Sequence, residues 1–140
     1  MTAYDYIRDP AEIYRQSFAT VEAEAGIHNL PGAVQAVVKR LIHSCGMVDV
    51  IDDFDFSQGA ISAGQSALKN GCAIFSDVEM VKAGVITRLL PANNQIVCTL
   101  NREDVPQHAA KIKNTRSAAA VDLWGEDLEG GIVVIGNAPT

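Results

Sequence analysis

A histidine and a cysteine two residues apart, His43 and Cys45, are the side chains best suited to chemistry in the segment RLIHSCGMV. Such a pair is found in metal sites and in reactive-thiol sites, and also at ordinary helix ends. In a helix with about 100° between successive residues, His43 shares a face with Arg40, whereas Cys45 falls in the apolar stripe. We therefore predict that Cys45 packs inward, that His43 lies outside the core, and that the two do not converge on one metal ion. The periodicity leaves two roles open for His43, a solvated residue near a helix end or a side chain that projects into a cleft.

Two later segments combine hydroxyl and guanidinium groups. GVITRLLP places Thr87 and Arg88 in a loop, and KNTRSAAA places Arg116 at the start of a helix. Free backbone N–H groups at a helix N-terminus, together with an arginine, suit a carboxylate or a phosphate. Plain helix capping by Asn114 or Thr115 explains KNTRSAAA equally well. Both segments are therefore candidate anion-binding sites.

No metal constellation stands out in the sequence. The three cysteines are far apart and lack CxxC spacing, and no paired histidines accompany them. The carboxylates of MVDVIDDFDF, if that segment is a strand, are divided between its two faces, which fits a solvated acidic edge better than a cation site. Neither a nucleophile elbow nor a dinucleotide-binding glycine pattern occurs. We therefore predict no metal site, and the residues support neither nucleophilic catalysis nor dinucleotide binding.

Helical and strand patterns alternate along the chain. The first two predicted helices, residues 9–26 and 30–46, each have a proline near the start and end in glycine. In the first, Asp9 and Glu12 fit a capping box. Further helices are predicted over 57–71, 78–84, 105–112 and 115–128, and strands over 47–56, 72–77, 95–100 and 131–136. Short strands separated by helices predict an α/β fold whose mostly parallel sheet is covered on both faces.

Size and charge restrict the class of protein. A chain of 140 residues with 48% hydrophobic and 20% charged residues fits a single domain over residues 1–140. Its net charge of −6 disfavours nucleic acid as a partner, because such proteins carry a basic surface. No apolar window is long enough to span a membrane, and the N-terminal residues do not resemble a signal peptide. A cytoplasmic location is the expectation.

Five blocks of sequence resemble the precorrin-8X methylmutase family, isomerases of cobalamin biosynthesis. The blocks are YDYIRDPAEIYRQSFATVEAEA, RLIHSCGMVD, CAIFSDVEMVKAGVITRLLP, NTRSAAAVDLW and VVIGNAPT. They occur in the same order as in the family and extend over nearly the whole chain. The resemblance implies a flavodoxin-like three-layer α/β/α fold, a homodimer and no cofactor. It also implies migration of a methyl group from C-11 to C-12 of precorrin-8X, giving hydrogenobyrinic acid, with a cobalt-containing macrocycle in the anaerobic relatives.

The same resemblance assigns roles to individual residues. His43 matches the family's catalytic histidine, which would protonate the macrocycle. Substrate contacts are implied for Ser17 and Arg40, for Thr87 and Arg88 from the neighbouring subunit, and for Arg116 and Ser117. Arginines and hydroxyls around an apolar slot would complement the carboxylates of a corrinoid. This pairing would reconcile an acidic chain with an anionic ligand.

Length is the one departure from the family pattern. Family members are longer than 140 residues, so we expect this chain to lack a C-terminal part. A second hypothesis follows, in which the chain binds a corrinoid without converting it, as a module or a truncated subunit. Conversion of substrate, as opposed to binding alone, separates the two hypotheses.

Overall fold

A computed structural model describes residues 4–137 and divides the chain into two compact units. The first unit extends to Ile61 and the second begins at Ser62. The single domain expected over residues 1–140 stays a prediction, because compact units of this size occur within single domains as well as between them.

Two α-helices and two 3₁₀ helices form most of the first unit. The elements are α1 (Pro10–Glu24), a 3₁₀ helix (Ile27–Asn29), α2 (Gly32–Cys45) and a second 3₁₀ helix (Val48–Asp53). The Asp9 carboxylate accepts a hydrogen bond of 3.1 Å from the backbone N–H of Ala11, as expected for an N-cap. Glu12, in contrast, pairs with Arg15 and Gln16 and does not complete a capping box. Gly46 ends α2 in the left-handed conformation, with φ of 71°.

The core of the first unit lies between α1 and α2. Its buried members are Val21, Ala25, Ile27, Val34, Val38 and Ile42. Val34, Val38 and Ile42 are spaced by four residues, so they lie along one face of α2. Burial of this face determines the rotation of α2 about its axis, and thereby the direction in which the next residue, His43, points.

The strand predicted over 47–56 is wrong, because Val48–Asp53 is a 3₁₀ helix. With three residues per turn, Val48 and Ile51 lie on the same side of such a helix. Both pack against the core of the first unit. The apolar and acidic residues of this segment thus satisfy a three-residue period as well as a two-residue one. The carboxylates of Asp49, Asp52 and Asp53 therefore belong to a 3₁₀ helix and not to a strand.

The second unit contains a parallel sheet. Its first helix, α3, begins two residues before the boundary between the units. The elements are α3 (Ala60–Lys69), β1 (Ile74–Ser76), α4 (Glu79–Gly84), a 3₁₀ helix (Thr87–Leu89), β2 (Ile96–Val97), α5 (Val105–Ile112), α6 (Arg116–Asp122), another 3₁₀ helix (Gly125–Leu128) and β3 (Ile132–Val134). The strand order is β2-β1-β3, and both pairings are parallel, with Ile74 opposite Ile96 and Ile132. The predicted α/β class with a parallel sheet is confirmed. The strand order matches the start of a flavodoxin-like sheet, while the complete three-layer arrangement stays a prediction.

The helices of the second unit differ from expectation at one place. The single helix predicted over 115–128 is divided, because α6 ends at Asp122 and a 3₁₀ helix begins at Gly125, where φ is 56°. This break places Trp124 against Phe75 of β1, with ring centroids 5.7 Å apart. Between residues 4 and 137, no helix is long and apolar enough to cross a bilayer.

Candidate active site

His43 lies at the surface between α1 and α2, half-buried beside the core. Its ring nitrogen Nδ1 is 2.7 Å from the hydroxyl oxygen of Ser17, and this contact joins residues 26 positions apart in the sequence. Within the described residues, the other ring nitrogen, Nε2, has no hydrogen-bond partner. The contact therefore orients the imidazole and leaves one of its nitrogens available.

Two aromatic rings of α1 border the same imidazole. The Tyr14 ring lies 5.0 Å from it at an interplanar angle of 30°, and the Phe18 ring meets it edge to face at 5.6 Å. Ser17 and Phe18 follow Tyr14 by three and four residues, so the three side chains form one patch on α1. Neither Tyr14 nor Phe18 was predicted from the sequence as part of the site. The i, i+3, i+4 spacing of Tyr14, Ser17 and Phe18 was the available signal.

Arg40 lies close to this group, one turn before His43 on α2. Its guanidinium carbon is 5.8 Å from the centroid of the Phe18 ring, and its Nη1 donates a hydrogen bond of 2.8 Å to the carbonyl oxygen of Ala36. The side chain is exposed. The structure thus brings together three residues named from the sequence, Ser17, Arg40 and His43.

Cys45 does not pack inward, so that prediction is wrong. The residue is exposed at the last position of α2, and its Sγ lies 3.8 Å from the carbonyl oxygens of Ile42 and Met47. The apolar stripe of α2 is buried only as far as Ile42, since the helix ends three residues later at Cys45. Within residues 4–137, no group of three or more histidine, cysteine, aspartate or glutamate side chains is placed to hold a metal ion.

A cavity of about 300 Å³ opens beside His43 in the first unit. It is lined by side chains from α1 and α2 and by the turn after α2, namely Ser17, Thr20, Val21, Glu24, Ile42, His43, Gly46 and Val48. Hydroxyl, carboxylate and imidazole groups share this lining with apolar side chains. The cavity can therefore accept a ligand that has both an apolar body and polar edges.

An ion pair holds α1 and α2 together next to this site. The Lys39 ammonium donates a hydrogen bond to the Glu22 carboxylate. This hydrogen bond, followed by the charge of Lys39, holds the pKa of the Glu22 carboxyl below its ordinary value. Glu22 is consequently ionised at neutral pH and Lys39 is engaged with it. Lys39 shares a helix face with His43, but its ammonium group is paired with Glu22.

The other four residues named from the sequence lie in the second unit. Thr87 and Arg88 are exposed on the 3₁₀ helix Thr87–Leu89. Arg116 is exposed at the first position of α6, where its Nη2 lies 3.3 Å from the carbonyl oxygen of Leu100, and Ser117 beside it is half-buried. Thr87 and Arg88 thus form one pair of adjacent polar residues and Arg116 and Ser117 form another.

Helix capping accounts for part of the KNTRSAAA segment. The Thr115 hydroxyl accepts a hydrogen bond of 3.1 Å from the N–H of Ala118, and the Asn114 side-chain oxygen accepts one of 2.8 Å from the N–H of Thr115. The capping alternative is therefore present in the structure. Arg116 and Ser117 take no part in these two contacts and stay the candidate anion-binding side chains of this segment.

A buried carboxylate at the carboxyl end of the sheet was not identified from the sequence. Asp77 follows β1 directly and is 8% exposed. Its two carboxylate oxygens accept hydrogen bonds of 2.9 Å from the backbone N–H groups of Gly136 and Asn137, beyond the end of β3. In the segment GNAPT, the backbone N–H groups of Gly136 and Asn137 thus bind Asp77. Residues 138–140 of that segment lie outside the described residues.

Comparisons with known proteins agree on one family. A protein-family model described as precorrin-8X methylmutase matches residues 12–140. A precorrin-8X methylmutase of Pseudomonas aeruginosa is 55% identical over 97% of this chain and 65% of its own length. A protein of the same name from a Sinorhizobium species is 46% identical over 100% of this chain and 67% of its own length.

A solved structure shows the same fold. It is described as a crystal analysis of precorrin-8x methyl mutase from Thermus thermophilus, and it superimposes with a TM-score of 0.77 at 35% identity. The superposition covers 92% of this chain and 63% of the solved one. The chain thus spans about two thirds of the length of the proteins that it matches.

Proposed function

The chain belongs to the precorrin-8X methylmutase family, and on that basis we propose that it is an isomerase acting on precorrin-8X. The proposed reaction moves a methyl group from C-11 to C-12 of the macrocycle and gives hydrogenobyrinic acid. The observation that carries the proposal is the placement of His43. Its Nδ1 is hydrogen-bonded to Ser17, its Nε2 has no hydrogen-bond partner among the described residues, and the ring lines a cavity.

His43 is the proposed proton donor and acceptor. When a macrocycle nitrogen takes a proton from the histidine, the conjugated ring becomes electron-poor, and the methyl group can migrate within the molecule. The bond from the methyl carbon to C-11 breaks as the bond to C-12 forms, and the proton returns to the histidine. Substrate and product therefore have the same composition. Histidine suits this exchange because its ordinary pKa is near neutrality.

Binding of the substrate is the proposed task of the arginines and hydroxyls. A corrinoid carries several carboxylates around an apolar ring, and guanidinium groups bind carboxylates through paired hydrogen bonds. Arg40 is placed beside Phe18 and His43, where it can bind a carboxylate at the ring edge nearest the histidine. A cavity of about 300 Å³ is at the small end of ligand sites, so it would hold one edge of the macrocycle. Thr87, Arg88, Arg116 and Ser117 are the proposed contacts for the rest.

We expect anaerobic incubation of the pure chain with precorrin-8X to produce the hydrogenobyrinic acid chromophore. The relatives at 55% and 46% identity are both named for precorrin-8X, which favours the metal-free macrocycle as substrate. A parallel incubation with cobalt-precorrin-8 measures the preference, and we expect faster turnover of the metal-free compound. Visible absorption spectra recorded over time measure both reactions.

The outcomes of this assay separate the two functional hypotheses. Appearance of the product spectrum, dependent on the amount of protein, supports the isomerase. A saturable spectral change on adding hydrogenobyrinic acid, without conversion of precorrin-8X, would contradict the isomerase and support a corrinoid-binding module. Absence of both binding and conversion would contradict both.

We also propose a homodimer in which Thr87 and Arg88 of one subunit complete the site that contains His43 of its partner. Co-expression of His43→Ala and Arg88→Glu chains, each inactive alone, should then restore about a quarter of the normal activity, because half of the dimers would contain one intact site of two. The measurement is the turnover rate of the mixed preparation. Activity no greater than the sum of the two separate variants would contradict a shared site.

A further inference from the structure

A single hydrogen bond joins Ser17 to His43, and its direction depends on which ring nitrogen carries hydrogen. The distance from Ser17 Oγ to His43 Nδ1 is 2.7 Å, within the usual range for a hydrogen bond that involves a hydroxyl group. Across the described part of the chain, neither Ser17 Oγ nor His43 Nδ1 has another partner. The contact is half-buried, so water competes with it only in part.

A serine hydroxyl can take either role in such a contact, and the two roles give different histidines. If Oγ donates its hydrogen to Nδ1, the neutral imidazole carries its own hydrogen on Nε2. If Nδ1–H donates to Oγ, then Nε2 has a free lone pair in the neutral ring. Only the second arrangement keeps hydrogen on Nδ1 in both charge states of the ring. Exchange of a proton at Nε2 then requires no change of tautomer.

The same arrangement leaves the hydroxyl hydrogen of Ser17 available. An oxygen that accepts from Nδ1–H can still donate its own hydrogen to a second acceptor, and Ser17 lines the cavity next to His43. A carboxylate at the position of Ser17 would accept only. Ser17 can therefore orient the histidine and donate to a substrate oxygen simultaneously.

Tyr14 and Phe18 restrict the ring that Ser17 orients. One ring lies across the face of the imidazole and the other meets it at 83°, and the two aromatic rings are themselves 5.9 Å apart. Contacts on two sides oppose rotation of the imidazole about its side-chain torsions. Tyr14, Phe18 and Ser17 all belong to α1, so one helix supplies both the ring contacts and the hydrogen bond to His43.

We propose that Ser17 is a positioning residue whose Oγ accepts the Nδ1–H of His43, so that Nε2 is the nitrogen that gives and takes the substrate proton, with Tyr14 and Phe18 holding the ring plane. The proposal rests on the isomerase function for its catalytic meaning. Its structural content, the tautomer of His43, exists in the protein without substrate. Tautomer and turnover can accordingly be measured separately.

Nitrogen-15 NMR of the histidine rings in the substrate-free chain, at a pH where His43 is neutral, tests the tautomer. We expect hydrogen on Nδ1 and a bare Nε2 in the native protein. In Ser17→Ala the Nε2–H form should appear, and Ser17→Thr should restore the native pattern because it keeps a hydroxyl. Thr20→Val is the matched control. It removes a hydroxyl from the same helix and the same cavity lining, but that hydroxyl donates to the carbonyl of Gln16, so the tautomer should not change.

Turnover measurements test whether Ser17 contributes to catalysis. Outer-shell partners that orient metal-ligating histidines typically contribute about 10-fold to 100-fold. Ser17 would orient His43 in the same way, so Ser17→Ala should lower kcat by about that factor and Ser17→Thr should recover most of it. An Nε2–H tautomer in the native protein, or a tautomer that is the same in Ser17→Ala, would overturn the proposal. Native turnover without any effect of Ser17→Ala on kcat would overturn the positioning role while leaving the isomerase function intact. Absence of turnover in the native chain contradicts the isomerase function, and the NMR result then still decides the tautomer.

Discussion

Replacing His43 with alanine should lower the rate of precorrin-8X conversion by about 10²-fold to 10⁴-fold, the usual contribution of a positioned general acid. The ring is the proposed proton donor, and alanine cannot hold a proton. Affinity for hydrogenobyrinic acid should change little, because the arginines and hydroxyls proposed to bind the carboxylates remain. Single-turnover rates and titration of the product spectrum measure the two quantities independently.

A histidine elsewhere in the chain is the control for this variant. His28 is exposed on the 3₁₀ helix Ile27–Asn29, and His28→Ala should convert substrate at the native rate. His43→Asn adds a second comparison, since its amide can still hydrogen-bond Ser17 but cannot transfer a proton near neutral pH. We expect His43→Asn to be as slow as His43→Ala. Native-like conversion by either His43 variant would exclude the proposed role of this residue.

The second large effect is expected on stability, from Asp77→Ala. The Asp77 residue is 8% exposed, and its carboxylate accepts hydrogen bonds from the N–H groups of Gly136 and Asn137, shortly after β3. It therefore connects the carboxyl ends of two parallel strands. Hydrogen bonds to a charged group are each worth about 1.5–3 kcal/mol. Because Gly136 and Asn137 are exposed and water can replace part of the loss, we expect a decrease of about 2–4 kcal/mol in the free energy of unfolding.

Denaturant unfolding measures this loss, and amide hydrogen exchange locates it. The amides of Gly136 and Asn137 should exchange faster in Asp77→Ala. Asp77→Asn should be intermediate, because the NH2 group that replaces one carboxylate oxygen cannot accept a hydrogen bond. Glu103→Gln, an exposed carboxylate in the same unit, should change stability by less than about 0.5 kcal/mol. An Asp77→Ala protein as stable as the native one would show that the strand ends are held by other contacts.

Local patterns were sufficient for much of the fold. Asp9 and Gly46 mark the ends of helices through interactions that span only a few residues, and both were correctly predicted. The alternation of apolar strands and helices likewise predicted a parallel sheet, now seen with the order β2-β1-β3. The segment 47–56 failed because its apolar residues fit two periods, and only packing against the core of the first unit selects between them.

For the site, the sequence alone placed His43 outside the apolar stripe of α2 and beside Arg40, because helix periodicity orders the side chains around an axis. The resemblance of its motifs to a family supplied the proposed task. Tertiary structure alone decided that Ser17 is hydrogen-bonded to Nδ1 of His43 and that Tyr14 and Phe18 contact the His43 ring. It also decided that Asp77 binds the backbone after β3. These contacts join residues 25 to 60 positions apart, and their geometry depends on how α1 packs on α2 and how the strands align. Helix and strand periodicity depends only on residues a few positions apart. It therefore cannot predict contacts that form when distant segments pack together.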